Sequence, residues 1–256
     1  MKREEILQLY NEELRVNAQT NGYRRELTDY VVRHVSLMND EGFILFSNFT
    51  PENAKEIIEG EVRYFEKLGQ RFEWKVHSYD QPDNLVDLLV EEGFERGEEE
   101  ALMIHELKED SELLQKEMSG KLVEITTEKE IADVVSLLND TWGNSHAELG
   151  KRLWSDKRNN PECLHIYGIY EDDKLVSAAW MYFEANSSFA SLWGGATRPD
   201  YRRKGYYTSL LAARAQKANE EGYRFLTVDS LEMSRPILEK SGFECLAYTY
   251  GCLSPK

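Results

Sequence analysis

No apolar run in these 256 residues approaches the roughly 18 that a helix needs to cross a bilayer, so no membrane partner is expected. Cysteine is scarce. Cys163, Cys245 and Cys252 are odd in number and lack metal-ligand spacing, so neither a disulfide framework nor a metal site is expected, and the thiols read as reduced packing residues. Residues 1–5 are followed by no apolar stretch of the kind found in an export signal, which with the cysteine usage predicts a cytoplasmic location. Positive charge is in deficit: 31 Lys and Arg face 47 Asp and Glu, for a net charge of −16. Residues 1–120 carry 14 against 28, and residues 121–256 carry 17 against 19. Such acidity argues against duplex nucleic acid, whose affinity for proteins comes mainly from neutralised phosphates. It leaves two readings open, a solubilising surface or an attraction for a cationic amine.

What is present is an ordinary globular composition, 41% hydrophobic and 30% charged, in a chain long enough for two domains of roughly 110–140 residues. The second half is the more regular. Residues 122–126 alternate as a strand. Ile131, Val134, Val135 and Leu138 keep helical spacing over 128–141, with Thr127 and Glu130 placed as a capping box. A second helix is expected over 145–154. Strands at 164–170, 175–183 and 189–197 are separated by short turns and predict an antiparallel meander. A helix over 205–221, a strand at 225–229, a helix at 234–240 and a last strand at 243–253 complete a mixed α/β (α+β) layer architecture. In the first half, strands are expected at 41–46, 72–79 and 101–106. A helix capped by Thr50 with Pro51 at its first position should run to about residue 68, and a short one should cover 84–91. Residues 108–119 read as a connecting helix or linker. Gly93, Phe94 and Glu95 repeat as Gly242, Phe243 and Glu244 at an offset of 149, which also brings Asp229 over Asp80 and Leu238 over Leu89. This pattern points to an internal duplication, with domains at 1–115 and 121–256.

One junction stands out. Residues 198–204 hold four cations, Arg198, Arg202, Arg203 and Lys204, against the single acid Asp200, and Gly205 and a helix follow directly. A helix N-terminus already carries about half a positive charge, so cations stacked there favour a bound anion such as a pyrophosphate. Taken by charge alone, a basic turn is also an ordinary solvated loop. A P-loop is excluded because Gly-x4-Gly-Lys-Ser/Thr is absent. The matching junction of the first half, Ser47, Asn48, Phe49, Thr50, Pro51 and Glu52, has no Gly, no cation and a self-capped helix, so no nucleotide-type cofactor is expected there.

In element order and motif, residues 122–253 resemble the GCN5-related N-acetyltransferase (GNAT) family. The family's acetyl-CoA signature, Gln/Arg-x-x-Gly-x-Gly/Ala, is met at its first four positions by Arg202, Arg203, Lys204 and Gly205; after Tyr206, Tyr207 departs from the final Gly/Ala. Thr197, Pro199 and the closing 239–243 segment extend the likeness, and the first half resembles a degenerate second copy, as in tandem GNAT proteins. The resemblance implies a GNAT-like fold in two copies and acetyl-CoA as co-substrate, with no metal. It implies cofactor contacts from the backbone of Gly195, Ala196 and Thr197 and from Arg202, Arg203, Lys204, Gly205, Tyr206, Tyr207 and Thr208. Within this strand, Gly194 and Gly195 also favour a bulge or a close backbone approach.

The implied reaction is attack of a small-molecule or peptidyl amine on the thioester. Ser191 stands where many members have a catalytic Glu, and Leu238 where many have a thiolate-protonating Tyr. Asp229, Ser230, Tyr248, Tyr250, Glu184 and His165 are the available substitutes, so the catalytic residues stay open. His165 also reads as a packing residue, Asp229 as a helix cap, and Trp180 and Trp193 as core rather than acceptor-site walls. An acyl-CoA-binding regulatory module without turnover is the alternative function. The acceptor and the oligomeric state are not readable from the sequence.

Overall fold

A computed structural model describes residues 1–38 and 40–256. The chain divides into two compact units, and the division does not follow chain order. The first unit comprises residues 1–103, 229–237 and 244–256; the second comprises 104–228 and 238–243.

In the first unit, α1 (Arg3–Asn11) runs into a π-helical turn, Glu12–Val16, followed by β1 (Tyr23–Leu27), β2 (Val31–Ser36) and β3 (Gly42–Ser47). Next come α2 (Pro51–Lys67), β4 (Phe72–His77), α3 (Leu85–Glu91) and β5 (Glu95–Glu106), whose last residues pass into the second unit. Thr50 caps α2 with Pro51 at the first position, as expected, and Asn53 closes a capping box. Ala54, Ile58 and Phe65 then fall on the buried face. They pack with Ile44, Phe72, Trp74, Leu89 and Phe94. The strand order is β1-β2-β3-β4-β11-β5, where β11 is Glu244–Leu253. The final strand, expected from the sequence in the second half of the chain, therefore pairs antiparallel with β4, from Thr249↔His77 to Leu253↔Glu73. It brings Cys252 into this core.

The second unit begins with α4 (Glu112–Gln115), the only helical turn in the segment read as a connecting helix or linker. It continues with β6 (Lys121–Glu124), α5 (Glu128–Trp142), α6 (Ala147–Asn159), β7 (Leu164–Glu171), β8 (Lys174–Phe183) and β9 (Phe189–Thr197). Last come α7 (Tyr206–Glu220), β10 (Phe225–Ser230), whose last residues pass into the first unit, and α8 (Arg235–Lys240), which returns to the second unit at Leu238. Thr127 and Glu130 form the expected capping box, and β7, β8 and β9 form the expected antiparallel meander. The order is β10-β9-β8-β7-β6. Ile131, Val134, Leu137 and Leu138 of α5 and Leu153 of α6 pack on Ile166, Ala178, Trp180 and Ala196.

The repeat is structural. Phe94 and Phe243 each donate a backbone N–H to Leu89 and Leu238 at 3.0 Å, and Gly93 and Gly242 donate to Val90 and Glu239, also at 3.0 Å. Both glycines are left-handed, with φ of 88° and 86°. The Asp80/Asp229 correspondence does not hold. Asp80 lies in the turn after β4, where it accepts from the His77 N–H at 2.9 Å, whereas Asp229 lies within β10. A length difference upstream of the shared helix–turn–strand breaks the offset.

Candidate functional site

The site starts from a parallel strand pair that comes apart. β9 and β10 pair from Phe189↔Phe225 through Leu226↔Ala190 to Ser191↔Thr227, and β9 then continues to Thr197 with no further β10 partner. Its edge toward β10 thus keeps N–H and C=O groups that the ladder does not satisfy. On its other edge β9 stays bound to β8 through a bulge at Ala178/Ala179, where Ala179 pairs Gly194 and Ala178 pairs Ala196. Gly194 and Gly195 are left-handed, with φ of 68° and 106°. A Cβ at Gly194 would lie 2.2 Å from the Trp180 ring, so only glycine fits. Ala196 and Thr197 are fixed from behind by the Ser177 hydroxyl, 3.1 Å from the Ala196 carbonyl and 2.7 Å from the Thr197 hydroxyl.

After β9 a short 3₁₀ turn, Pro199–Tyr201, leads into the loop. Arg198 is not part of the cation cluster. Its guanidinium is buried, donating to the Leu175 carbonyl at 2.9 Å and pairing with Asp140. Arg202, Arg203, Lys204 and Gly205 are exposed. Arg202 donates to the Thr197 carbonyl at 3.2 Å, and Lys204 reaches Glu171 at 3.2 Å and lies over the Tyr201 ring. Arg203 is left-handed at φ 64°, a conformation that costs a non-glycine residue roughly 1–2 kcal/mol. Gly205, at φ 84°, is the N-cap of α7. It provides no side-chain cap, and the first turn of the helix has no acid. The leading N–H groups of α7, at Tyr206, Tyr207 and Thr208, are the ones helix geometry leaves without intrahelical partners. The Thr208 hydroxyl turns back to the Gly205 carbonyl at 2.8 Å, and Tyr206 is buried. The Ser119 hydroxyl, in the segment read as linker, is 3.6 Å from a Cβ built on Gly205; no local pattern in the sequence marks it.

Tyr207, the departure from the signature, packs its ring against Gly195, 3.0 Å from a Cβ built there. Two turns on, Arg214 is buried with no carboxylate partner among the described residues, donating to the Leu210 and Trp180 carbonyls, and burial pushes its pKa down to about 10.

The catalytic substitutes separate by unit. Asp229, Ser230, Tyr248 and Tyr250 all belong to the first unit. Asp229 is paired with Lys75 at 3.0 Å, Ser230 with Ser234 at 2.9 Å, Tyr248 with Arg235 at 2.9 Å, and Tyr250 with Glu99. Leu238 is a core residue. His165 is buried between Glu124 at 3.0 Å and the Glu162 carbonyl at 3.2 Å, the packing role expected of it. With Lys157 it lines a separate cleft of about 420 Å³ that contains none of the expected cofactor residues. Trp180 is buried as expected, but Trp193, also expected in the core, is 53% exposed. It sits on the part of β9 that has left β10, so it has β8 on one edge and no paired strand on the other. Glu184 follows β8 directly. Its carboxyl has the Ser191 hydroxyl as hydrogen-bonding neighbour, and burial raises its pKa above the usual carboxylate value.

The first unit contains the same strand geometry with a different occupant. β3 and β4 pair in parallel at Gly42↔Phe72, Phe43↔Glu73 and Ile44↔Trp74, and then part. Arg15, from the π-helical turn, lies across the ends of these two strands. It donates to the Leu45 carbonyl at 2.7 Å and to both Asp80 oxygens at 2.7 Å, stacks near Phe46 and Tyr79, and is 1% exposed.

Comparison with known proteins agrees with this geometry. Residues 131–243 match the model of the Acetyltransferase (GNAT) family. A GCN5-related N-acetyltransferase from Kribbella flavida superposes with a TM-score of 0.71 at 16% identity, over 98% of this chain and 95% of that one. A functionally unknown conserved protein from Staphylococcus epidermidis superposes at 0.69 and 12% identity, over 95% and 96%. A tandem GNAT protein from the clavulanic acid biosynthesis pathway superposes at 0.64 and 12% identity, over 94% and 86%. No curated protein matches in sequence. Residues 131–243 therefore match the GNAT family, whose members transfer acyl groups from acyl-CoA to amines, within a chain that has a GNAT-like fold over nearly its whole length.

Proposed function

We propose that residues 121–256 form an N-acetyltransferase domain that takes acetyl-CoA and a primary amine. The parting of β9 from β10 at Ser191, followed by a glycine bulge and a cationic loop at a helix N-terminus, carries this reading. The pyrophosphate would be held by Arg202, Arg203, Lys204, Gly205 and the N–H groups of Tyr206, Tyr207 and Thr208. The pantetheine arm would use the free edge of Gly195, Ala196 and Thr197, as an added strand does. An N–H on that edge can also polarise the thioester carbonyl as negative charge develops. Residues 1–115 are a degenerate copy that holds no acyl-CoA. Arg15 already satisfies the Leu45 carbonyl that an arm would use, and α2 begins with its own capping box and Glu52 in its first turn.

Acetyl-CoA should raise the melting temperature of the chain and bind with a stoichiometry of one. Arg203→Glu should abolish the shift without lowering the melting temperature of the free protein. An unshifted wild-type protein with every acyl-CoA tried would sink the proposal. Binding without turnover is the second reading, favoured by the burial of Leu238 where a thiolate-protonating Tyr is common. CoA release with an amine would exclude it.

A further inference from the structure

The reaction needs a group to take a proton from the incoming ammonium, and Ser191 has no basic side chain. The strand register points to a neighbour. Residues directly opposite in an antiparallel pair share a face, so Tyr182 and Ser191 lie on one face together with Trp180 and Trp193. Glu184, two residues beyond Tyr182, returns to that face and is diagonal to Ser191, a separation of roughly 7–8 Å that a Glu side chain spans. Ser191 is the last residue of β9 that pairs with β10. Ser191 therefore stands at the closed end of the gap, with the Glu184 carboxyl behind its hydroxyl on the β8 side, and the exposed Trp193 indole follows on the same face about 7 Å along the strand.

Glu184 is partly accessible, and no cation among the described residues offsets its burial. The titratable groups whose fields reach it are Cys163 before β7, Tyr182 on β8 and Tyr223 after α7, with Asp156 and Arg152 of α6 acting on Tyr182. The first three are neutral near pH 7. A carboxylate without a cationic partner attracts an ammonium group, and an open indole face farther along the same side of β9 offers the rest of a cationic acceptor a second contact.

We propose that Glu184, supported by Ser191, accepts the proton of a cationic primary-amine acceptor that rests against Trp193. The assignment rests on the acetyl-CoA reading above and supplies the base that the sequence lacks on β9. The bound R–NH₃⁺ gives one proton to the Glu184 carboxylate. The free amine attacks the acetyl carbonyl, so an N–C bond forms and the C–S bond breaks. The second nitrogen proton goes to the departing CoA thiolate, and Glu184 returns its proton to solvent.

The test uses the full chain with Glu184→Gln and Trp193→Ala. CoA release from acetyl-CoA is followed with spermidine, tyramine, glucosamine and Nα-acetyl-lysine amide as probes, and acetyl-CoA affinity is read separately by thermal shift. Glu184→Gln should keep the wild-type acetyl-CoA shift, lose at least about a hundredfold in kcat, and lose the acidic limb of the kcat–pH profile. Trp193→Ala should raise the KM for the amine with little change in kcat. Three outcomes overturn the proposal: Glu184→Gln with wild-type kcat or an intact acidic limb, Glu184→Gln without the acetyl-CoA shift, or a wild type that binds acetyl-CoA and accepts none of the four amines. A wild type whose melting point acetyl-CoA does not move overturns the acetyl-CoA reading as well, and that shift tells the two failures apart.

Discussion

Arg15 shows what a single residue does in this fold. It and Asp80 are nearly inaccessible, and their paired hydrogen bonds also hold the Leu45 carbonyl and, through Asp80, the His77 N–H. Arg15→Ala leaves the buried Asp80 carboxylate without its cation and the Leu45 carbonyl without the Arg15 donor, so it should cost about 3–5 kcal/mol in urea unfolding. Replacing both Arg15 and Asp80 should cost less than the sum of the single losses. His77 adds a pH dependence. Burial, then Arg15, then Lys75 depress its pKa well below 6.5, and Asp80, 4.0 Å from its Nδ1, is already committed to Arg15. Tyr10 at 3.5 Å and the Tyr79 ring complete its surroundings. Burial lowers the pKa of His34 as well. A base with a depressed folded-state pKa contributes stability that is fully present above its unfolded value, about 6.5, and is lost as pH falls toward the folded one. Through His77 and His34, urea midpoints should therefore fall between pH 7 and 5, and His77→Phe should flatten that slope. None of this was legible in the sequence. Arg15 and Asp80 are 65 residues apart, and neither lies in a pattern that announces burial.

At the scale of elements, local rules carried far. Capping residues, strand alternation and the Gly-Phe pair each act within a few residues, so the sequence could place α2, α5, the meander and the repeated helix–turn–strand. Tertiary influences decided the rest. α1, β1 and β2 lack a clean period, and Trp193 is exposed because of how two strands part, which no single strand encodes. The bulge at Gly194 allows a sharp comparison. Gly194 and Gly69 have nearly the same φ, 68° and 66°, but a Cβ would meet the Trp180 ring at Gly194 and open space at Gly69. Gly69→Ala should cost only the backbone strain, about 1–2 kcal/mol. Gly194→Ala should add an overpacking cost of about 1–3 kcal/mol. It should also reduce the acetyl-CoA thermal shift, whereas Gly69→Ala should not. Equal losses of stability in the two variants would mean that the Trp180 ring yields without cost.

At the scale of the whole molecule, chain order and compact units disagree, and this has a measurable consequence. β11 is an interior strand of the first unit, between β4 and β5 in its sheet. Cys252 sits in the core beside Trp74, and beyond the strand Ser254 donates its backbone N–H to the Phe72 carbonyl at 2.9 Å. Cys252 is fully buried, and burial raises its thiol pKa to about 11, so in the native protein it should resist alkylation. Deleting residues 244–256 removes an inner strand rather than a tail. β4 would lose its antiparallel partner, and its unpaired backbone groups would face a core with a strand-sized gap, a loss a sheet does not absorb. Hydrogen exchange read by mass spectrometry should then show peptides from β4 and α3, far upstream of the cut in sequence, losing protection. Peptides from β7 and β8 should keep theirs, because their ladder and the packing of α5 on it use none of the deleted residues. Retained protection in β4, or equal loss in β7 and β8, would show that the last strand does not belong energetically to the first unit.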